Sequence, residues 1–239
     1  MNKLLLTILV LSLHITAYCQ GRHTKFLEAA IHGKYQSGFY TLLDGTRHAG
    51  KLRTWQNLTR NLVQVDQGKA DPINLTPEEL RSFTISSDSF VVARNVAILG
   101  MPNTMPFGEV DFFRVVLTGK LQIFEHDQLI AGGLNQIADG FNQIAGGSNQ
   151  IAGGLNQGPV NVKAWVLRPP GESDLVVVPN EEKAFAQNMA GLFVDSPLLC
   201  PRIRAGFLGI DDFKRIIYAY VFKKEIGDVS YEVAATIFR

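Results

Sequence analysis

Three pairs of strand-like segments, each pair joined by a turn that contains glycine, constrain the fold of this chain most. The pairs are residues 39–43 with 51–55, 112–117 with 121–124, and 162–168 with 175–178. Gly45, Gly119 and Gly171 lie in the turns, and glycine accepts the positive φ angles that tight hairpins require. With further strand signals at 62–65, 83–85 and 90–93, the sequence predicts a mostly antiparallel sheet or small barrel.

The C-terminal part changes to helical spacing, which predicts a pair of helices after the sheet. Asn180 is the predicted N-cap of the first helix, and Asp211 and Asp212 precede the second. The predicted fold class is therefore α+β. The two apolar stripes consist of Phe185, Met189, Leu192 and Phe193, then Phe213, Ile216, Ile217, Tyr220 and Val221.

Three shorter segments give further local signals. Residues 26–31 have helical spacing, and residues 230–238 alternate as a final strand would. Residues 76–79 resemble the start of a helix or a turn. Pro77 fits such a start because its missing N–H needs no partner in a first turn.

Residues 1–19 have the layout of a secretory signal peptide. Lys3 precedes an apolar run at 4–13, and Ala17 and Cys19 put small residues before a cut at Gln20. An uncleaved membrane anchor is one alternative, although the run is shorter than the roughly 20 residues that span a bilayer. Lipidation of Cys19 is the other, which the large neighbouring tyrosine disfavours. We therefore expect an exported chain with no transmembrane span after cleavage.

Export changes the charge and the cysteine content of the chain. The 239 residues carry a formal net charge of +1, and loss of Lys3 leaves 22 basic and 22 acidic residues. A neutral chain has no basic field, so we expect no nucleic acid partner. Cys200 then remains as the single cysteine, and we expect it to be a small buried hydrophobic residue rather than a nucleophile.

A seven-residue repeat occupies residues 128–157, within an insertion that we place at 128–158. Its apolar positions alternate spacings of four and three, as in the a and d positions of a heptad seam. A strand fits this pattern less well, since an odd period would move the isoleucines between the two faces. The seam residues are Ile130, Leu134, Ile137, Phe141, Ile144, Ile151 and Leu155.

Glycine limits how stable a helix of this repeat would be on its own. Seven glycines between Gly132 and Gly154 oppose a helix by on the order of 7 kcal/mol in total. Packing of the seam against the protein body or a second copy would have to offset this cost. Self-association through 128–157 is therefore one expectation, and a disordered loop or a solenoid-like or hairpin form are the alternatives.

The expected organisation has four parts. They are a signal peptide at 1–19, a β-rich part at 20–127, the insertion at 128–158, and a hairpin plus C-terminal helices at 159–239. The second and fourth parts form one domain, because the insertion separates strands that would otherwise be neighbours. The repeat is therefore expected at a hairpin tip, projecting from the folded body.

The sequence contains no recognised catalytic or cofactor motif. It has no phosphate-binding loop, no nucleophile elbow and no zinc-protease motif. Its acidic pairs fit helix starts, and the histidines at 23, 32, 48 and 126 lack metal-ligand spacing. We therefore predict no catalytic residue, no metal site and no cofactor. A meeting of His48 with His126 in space is a minor alternative.

Three blocks of sequence stand out: GFYTLLDGT at 38–46 with GKL at 50–52, TPEELRSF at 76–83, and FRVVLTGKLQIF at 113–124. Together with the helix pair at 181–223, they resemble an uncharacterised family of secreted, cell-envelope proteins of Bacteroidota. The resemblance covers residues 38–127 and 159–223 and leaves out the repeat. It implies an exported protein of the cell envelope and supplies no catalytic residues.

The leading functional hypothesis is an exported, non-enzymatic envelope or extracellular module. Its role would be structural or would be to bind an unidentified protein or envelope partner. The alternative is a secreted hydrolase whose active site is assembled from dispersed residues. A deep pocket with converging His, Asp, Glu or Ser side chains would favour the hydrolase. A third hypothesis is self-association through the heptad seam.

Overall fold

The computed structural model describes seven stretches of the chain. They are residues 30–57, 61–94, 98–99, 110–130, 160–171, 175–179 and 181–238. Strands dominate up to residue 177, and helices follow from residue 182. The predicted signal peptide and most of the repeat lie outside the described residues.

Twelve strands form one sheet in the described part of the chain. The order across the sheet is β5-β4-β3-β2-β6-β7-β9-β10-β11-β12-β8, with β1 paired to β3. The pairs are antiparallel, apart from the parallel pair of β12 with β8. The bounds are β1 Ala30–His32, β2 Gln36–Leu42, β3 Arg47–Asn57, β4 Asn61–Val65, β5 Ile73–Leu75, β6 Leu80–Ile85, β7 Asp88–Arg94, β8 Ile98–Leu99, β9 Val110–Leu117, β10 Gln122–Ile130, β11 Val160–Arg168 and β12 Leu175–Val177.

The three hairpins predicted from the glycine turns are confirmed. Strands β2 and β3, β9 and β10, and β11 and β12 are antiparallel neighbours. The turn residues Gly45, Gly119 and Gly171 have φ angles of 91°, 141° and 78°, which residues other than glycine rarely adopt. The predicted α+β class is confirmed as well. Of the two sheet forms, the open sheet is the one observed, with β5 and β8 at its ends.

Helices follow the sheet, as predicted. The two predicted helices correspond to α1 and α3, whose apolar stripes are largely buried. Helix α1 starts one residue later than an Asn180 cap would place it, since Glu181 occupies the N-cap position. The bounds are α1 Glu182–Leu192, α2 Cys200–Arg204, α3 Phe213–Phe222 and α4 Tyr231–Ala235, with 3₁₀ turns at Ile210–Asp212, Ile226–Asp228 and Thr236–Phe238.

The helices pack on one face of strands β10 and β11. Ile123 and Leu167 point from these strands into the same core as Phe185 and Ile216 from the helices. Each of these four side chains is fully buried, and burial of a side chain of this size contributes about 1.5–3 kcal/mol. Cys200 is buried in this core too, as the sequence predicted.

Two further apolar clusters stabilise the sheet. One lies in its N-terminal half and is formed by Leu52, Val63, Val65, Leu75, Leu80, Phe83 and Ile85. The other includes Phe124, which follows Ile123 in β10 and therefore points to the opposite face. The central strands thus bury apolar side chains on both faces, and the remaining members of this cluster are Ala93, Phe113, Val166, Leu175 and Val177.

Two local predictions are wrong, and a third is resolved. Residues 230–238 form helix α4 and a 3₁₀ turn instead of a strand, with Ser230 Oγ accepting a hydrogen bond from the Val233 N–H at 3.2 Å. The predicted helical patch at 26–31 ends in strand β1, which begins at Ala30. Residues 76–79 form a turn, in which the Thr76 N–H donates to Glu79 Oε2 at 2.8 Å.

The position of the repeat follows from the pairing of β10 with β11. Ile130 pairs with Val160, so residues 131–159 connect two antiparallel neighbours, as expected for an insertion at a hairpin. Residues 128–130 belong to β10, and the seam residue Ile130 is therefore in a strand. The other six seam residues lie outside the described residues, and self-association stays a prediction.

No helix in the described stretches combines the length and the hydropathy that crossing a bilayer requires.

A buried tyrosine links α3 to the loop after α1. The Tyr220 hydroxyl donates a hydrogen bond to Asp195 Oδ2 at 2.8 Å. Burial, this hydrogen bond and the charge of Asp195 raise the pKa of Tyr220 to about 12. The folded state thus holds the phenol proton more tightly than the unfolded state, whose tyrosine pKa is about 10. The resulting stability is fully present below pH 10 or so and is lost as pH rises through the folded pKa.

This linkage predicts that Tyr220 titrates at a higher pH than an ordinary tyrosine. We expect tyrosinate absorbance to rise at a pH of about 12 in the folded chain, and we expect Tyr220→Phe to remove that step. Asp195→Asn should move the step toward the ordinary tyrosine pKa, because it removes the charge that disfavours the phenolate. An Asp195→Asn titration curve identical to that of the unchanged chain would contradict this assignment.

Candidate functional site

A cavity of about 420 Å³ lies between the N-terminal strands and the β9–β11 region. Its volume is within the range of pockets that hold a small organic ligand. Charged side chains and aromatic rings both line it. The lining residues are Thr54, Trp55, Gln56, Asn61, Leu62, Phe83, Asp88, Phe90, Phe112, Arg114, Glu125, Asp127 and Lys163.

Glu125 is the buried acidic centre of this cavity. Its side chain is only 7% exposed, and it accepts hydrogen bonds from Arg114 Nη2 at 2.5 Å and from Lys163 Nζ. Burial alone would raise the pKa of Glu125, but the hydrogen bonds and charges of Lys163 and Arg114 hold it below its usual value. Glu125 is therefore an ionised carboxylate held between two cations.

Two further carboxylates lie nearer to solvent. Asp127 Oδ1 is 3.5 Å from Lys163 Nζ, and Asp88 Oδ1 is 3.6 Å from Arg114 Nη1. The side chains of Asp127 and Asp88 are 44% and 52% exposed, so water screens both contacts. The partial burial of Asp127 raises its pKa, and the charge of Lys163 offsets only part of this rise. The cavity thus combines one firmly ionised carboxylate with one that gains a proton more readily.

The acidic residues share one face of β10. Side chains alternate along a strand, so Ile123, Glu125 and Asp127 all point to the same side. Ile123 lies under the helices, and the two acidic residues follow where the strand leaves this cover and enters the cavity. Lys163 pairs directly with Asp127 in the neighbouring strand β11.

A register shift brings Arg114 to Glu125. The pairing of β10 with β9 changes register between Ile123 and Phe124, which is the signature of a β-bulge. After this shift Glu125 pairs with Arg114, whereas the register before it would have put Val115 opposite Glu125. The bulge therefore replaces an apolar neighbour of the buried carboxylate by a guanidinium.

Aromatic rings form the wall that faces these charges. Phe83 stacks on Phe90 with ring centroids 4.4 Å apart, and it packs nearly perpendicular to Phe112 with ring centroids 5.1 Å apart. Trp55 adds a fourth ring from β3. Such a wall lowers the local dielectric, which strengthens the interactions of the charged groups opposite.

Asn61 connects the cavity to a buried polar cluster. Its Nδ2 donates a hydrogen bond to Asp111 Oδ1 at 2.8 Å, and Asp111 Oδ2 lies 2.8 Å from Nε2 of the fully buried His126. Burial would raise the pKa of Asp111, but His126, Asn61 and the Phe112 N–H hold it below its usual value. These contacts join β4, β9 and β10 and thereby fix one wall of the cavity.

The structure gives the two histidines considered from the sequence different partners. His48 stacks on Tyr40 with ring centroids 5.0 Å apart, while His126 contacts Asp111 and Phe113. A contact between His48 and His126, the minor alternative from the sequence, is not among these contacts. Within the described residues, no group of three or more His, Cys, Asp or Glu side chains could hold a metal ion.

Comparisons with protein-family models, curated proteins and solved structures found no match to this chain. The chemistry of the cavity itself therefore indicates what it can bind. It presents an ionised, paired carboxylate, two partly exposed carboxylates and an aromatic wall. Among the described residues that line it there is no serine, cysteine or histidine to serve as a nucleophile.

Sequence reasoning missed four of the charged residues that line this cavity. Glu125, Asp127, Arg114 and Lys163 lie on three strands, and no local motif joins them. One signal was present in the sequence, namely acidic residues directly after the apolar strand segment at 121–124. A carboxylate that continues a buried strand needs a partner, and the position of that partner depends on register.

Proposed function

We propose that this chain is an exported, non-enzymatic module of the cell envelope or extracellular space that binds a partner in the 420 Å³ cavity. The partner is a protein or another envelope component. The observation that supports a binding role is the cavity itself, in which polar groups are held in place beside partly exposed aromatic rings. Export is supported by the signal-peptide layout of residues 1–19.

The ion pairs of the cavity support binding more than catalysis. Glu125 is held by both Arg114 and Lys163, so its carboxylate is fixed before a partner arrives. Groups that are already ordered lose less entropy on association, which favours affinity. The same two cations stabilise the negative charge and leave Glu125 a weak base.

Membership of the secreted Bacteroidota family is part of this proposal and rests on the three sequence blocks. Two of these blocks contribute directly to the cavity. The block at 76–83 supplies Phe83, and the block at 113–124 supplies Arg114 together with both sides of the register shift. The blocks therefore build the cavity wall as well as the fold.

Export is tested by expressing the full chain in a Gram-negative host and separating the cell fractions. We expect the envelope or medium to hold a chain whose mass corresponds to a start at Gln20. Leu9→Arg interrupts the apolar run and should retain the unprocessed chain in the cytoplasm. If the chain with the natural Leu9 also stayed unprocessed in the cytoplasm, this result would contradict export.

Partner binding is tested with a photocrosslinking amino acid at one of two positions. Position 54 lines the cavity, whereas position 182 is exposed on α1 and does not line it. We expect irradiation of exporting cells to give an adduct from Thr54 and none from Glu182. Equal adducts from both positions, or none from Thr54, would contradict a binding role for the cavity.

A secreted hydrolase is the second candidate, and it is favoured by the convergence of three acidic side chains, Asp88, Glu125 and Asp127, in one cavity. Glu125 and Asp127 lie on the same strand face, and their pKa values are shifted in opposite directions. Two carboxylates with opposed shifts are typical of a base or nucleophile beside a general acid. Turnover of ester or glycoside substrates that is lost in Asp127→Asn would support the hydrolase. Absence of turnover, or turnover that Asp127→Asn leaves unchanged, would exclude this pair as its active site.

A further inference from the structure

We propose that the cavity binds a positively charged organic group, specifically an ammonium group on a flexible carbon chain. A free amine and a lysine side chain of a partner share this chemistry. The inference rests on the proposed binding function and adds the chemical class of the ligand.

The charges of the cavity leave a place for one more cation. Among the described residues that line it, three are acidic and two are basic. Glu125 takes the short hydrogen bonds of both Arg114 and Lys163. Asp127 and Asp88 are left with the longer contacts of 3.5 Å and 3.6 Å to cations that are already engaged. A ligand cation near Asp127 would balance the excess negative charge.

The aromatic wall fits the rest of such a ligand. Phe90, Phe112 and Trp55 offer ring surface, which attracts a cation through the ring quadrupole. The same surface can cover the apolar carbon chain that carries the ammonium group. Charge and shape thus select an amine over a compact inorganic cation, and the described residues form no metal-ligand group.

Gln56 fixes Asp127 at the rim of the cavity. The side-chain Nε2 of Gln56 donates a hydrogen bond to the backbone oxygen of Asp127 at 3.1 Å. This contact joins β3 to β10 and holds the partly exposed carboxylate beside the aromatic wall. Asp127 is therefore, together with Asp88, a partly exposed carboxylate that an entering cation can reach.

An anionic ligand fits the cavity less well. Arg114 and Lys163, the two lining cations in the described stretches, are both bound to Glu125. An anion would have to compete with this carboxylate and would also meet Asp127 and Asp88. The desolvation and repulsion that follow make anion binding unfavourable.

Ligand binding should be linked to the protonation of Asp127. The partial burial of Asp127 and the negative charge of Glu125 on the same strand disfavour its ionised form. The charges of Lys163 on β11 and of His126 favour the ionised form. Arg114 from β9 also interacts with Asp127 through its charge. A bound ammonium group would favour the ionised form further, so affinity should fall as pH decreases through the pKa of Asp127.

The test is isothermal titration calorimetry of the purified full chain with three probes. N-acetyl-lysine amide represents a side chain, cadaverine represents a free amine, and N-acetyl-norleucine amide lacks the ammonium group but keeps an apolar chain. We expect an amine probe to bind about tenfold more tightly than the norleucine probe, as one ion pair with a cation–π contact allows. Preference for the lysine probe or for cadaverine tells the two sources apart.

Two variants that each remove one negative charge serve as the test and its control. Asp127→Asn removes the rim carboxylate and should weaken amine binding about tenfold. Glu182→Gln removes an exposed carboxylate of α1, which does not line the cavity, and should leave binding unchanged. Thermal unfolding of both variants checks that they remain folded, which we expect because both side chains are solvent-accessible.

The outcomes separate this inference from the proposed function. Norleucine binding equal to amine binding, or amine binding that Asp127→Asn leaves unchanged, would overturn the ammonium assignment. If the Thr54 crosslink still forms in that case, the cavity binds a partner of other chemistry. Loss of the crosslink as well would overturn the binding role itself.

Discussion

Replacing Glu125 by glutamine should lower the free energy of unfolding by about 2–3 kcal/mol at neutral pH. The change preserves the size of the side chain and removes only its charge. Arg114, whose side chain is 18% exposed, would then lie partly buried beside a neutral amide. Breaking a buried ion pair typically costs 3–5 kcal/mol, and the lower value is expected because Lys163 is 60% exposed and water can solvate it.

The measurement is chemical denaturation of the unchanged chain and of two single variants. Glu182→Gln makes the same chemical change at an exposed site in the first turn of α1 and should lower stability by no more than about 1 kcal/mol, the contribution of an acidic residue at a helix start. Glu125→Gln should lower the midpoint without changing the denaturant slope, because the fold is preserved. Equal stability of the two variants would contradict a stabilising role for the buried carboxylate.

A paired substitution separates the charge effect from the packing effect. Glu125→Met with Arg114→Met replaces the ion pair by apolar side chains of comparable length. Such replacements are often neutral or stabilising, since neither charge then needs to be desolvated. We therefore expect the double variant to be more stable than Glu125→Gln. A double variant that is less stable would show that the cavity needs these charges for its shape.

The pH dependence of this difference has a defined sign. The pKa of Glu125 is lowered in the folded state, so the folded state binds its proton less readily than the unfolded state does. The stability contributed by its charge is therefore fully present above the unfolded pKa of about 4.3 and is lost as pH falls through the folded pKa. The gap between the unchanged chain and Glu125→Gln should be largest near neutrality and shrink in acid.

The strands were predictable because local chemistry determines them. The turns at Gly45, Gly119 and Gly171 adopt the backbone angles that the sequence requires, and each joins the strands expected on either side. The order of strands across the sheet was not predictable in the same way. It depends on which apolar faces pack together, as in the pairing of β2 with both β3 and β6.

The incorrect final strand shows how a short alternating pattern can mislead. Tyr231 and Val233 supplied part of the alternation, yet their side chains are 59% and 44% exposed. Ala234 and Phe238 are buried within the segment and Val229 is buried just before it, and their spacing of five and four fits a capped helix followed by a 3₁₀ turn. Packing against α3 and the sheet, and not the local pattern, determined the element.

The cavity could not be predicted for a different reason. Arg114 meets Glu125 only because of the register shift in β9 and β10, and Lys163 reaches it from a strand that begins 30 residues after β10 ends. A single sequence shows the acidic residues but does not show the register that pairs them. Buried charge in a strand is thus a signal that a partner exists, without indicating which residue it is.

Gly38→Ala should have the largest effect on stability of any substitution considered for this chain, lowering the free energy of unfolding by about 3 kcal/mol or more. Gly38 lies in β2, where a Cβ atom would come within 2.0 Å of the Thr84 backbone oxygen and 3.2 Å of Leu52 Cδ1. The obstacle is backbone, so no side-chain rotation relieves it. Strands β2 and β6 would have to separate.

Two glycine controls make this prediction specific. Gly50 pairs with Gly38 across the hairpin, but its added Cβ would meet two side-chain atoms, Val65 Cγ1 at 3.3 Å and Leu52 Cδ2 at 3.9 Å, so Gly50→Ala should cost far less. Gly191 lies in α1 with no atom within 4 Å of an added Cβ, and Gly191→Ala should stabilise the helix by about 0.5–1 kcal/mol. Thermal and chemical unfolding should therefore show Gly38→Ala as the least stable of the three variants, Gly50→Ala as intermediate and Gly191→Ala as the most stable.

The Gly38 prediction also extends to the cavity. Strand β2 lies between β3, which supplies Trp55, and β6, which supplies Phe83, so separating β2 from β6 moves two parts of the aromatic wall apart. Gly38→Ala should therefore weaken binding of an amine probe under conditions in which the chain is still folded, whereas Gly191→Ala should not. An added Cβ at Gly38 would lie 2.0 Å from the Thr84 backbone oxygen. A Gly38→Ala chain as stable as the unchanged one would therefore contradict the prediction, because it would mean that β2 and β6 can separate at this position without loss of stability.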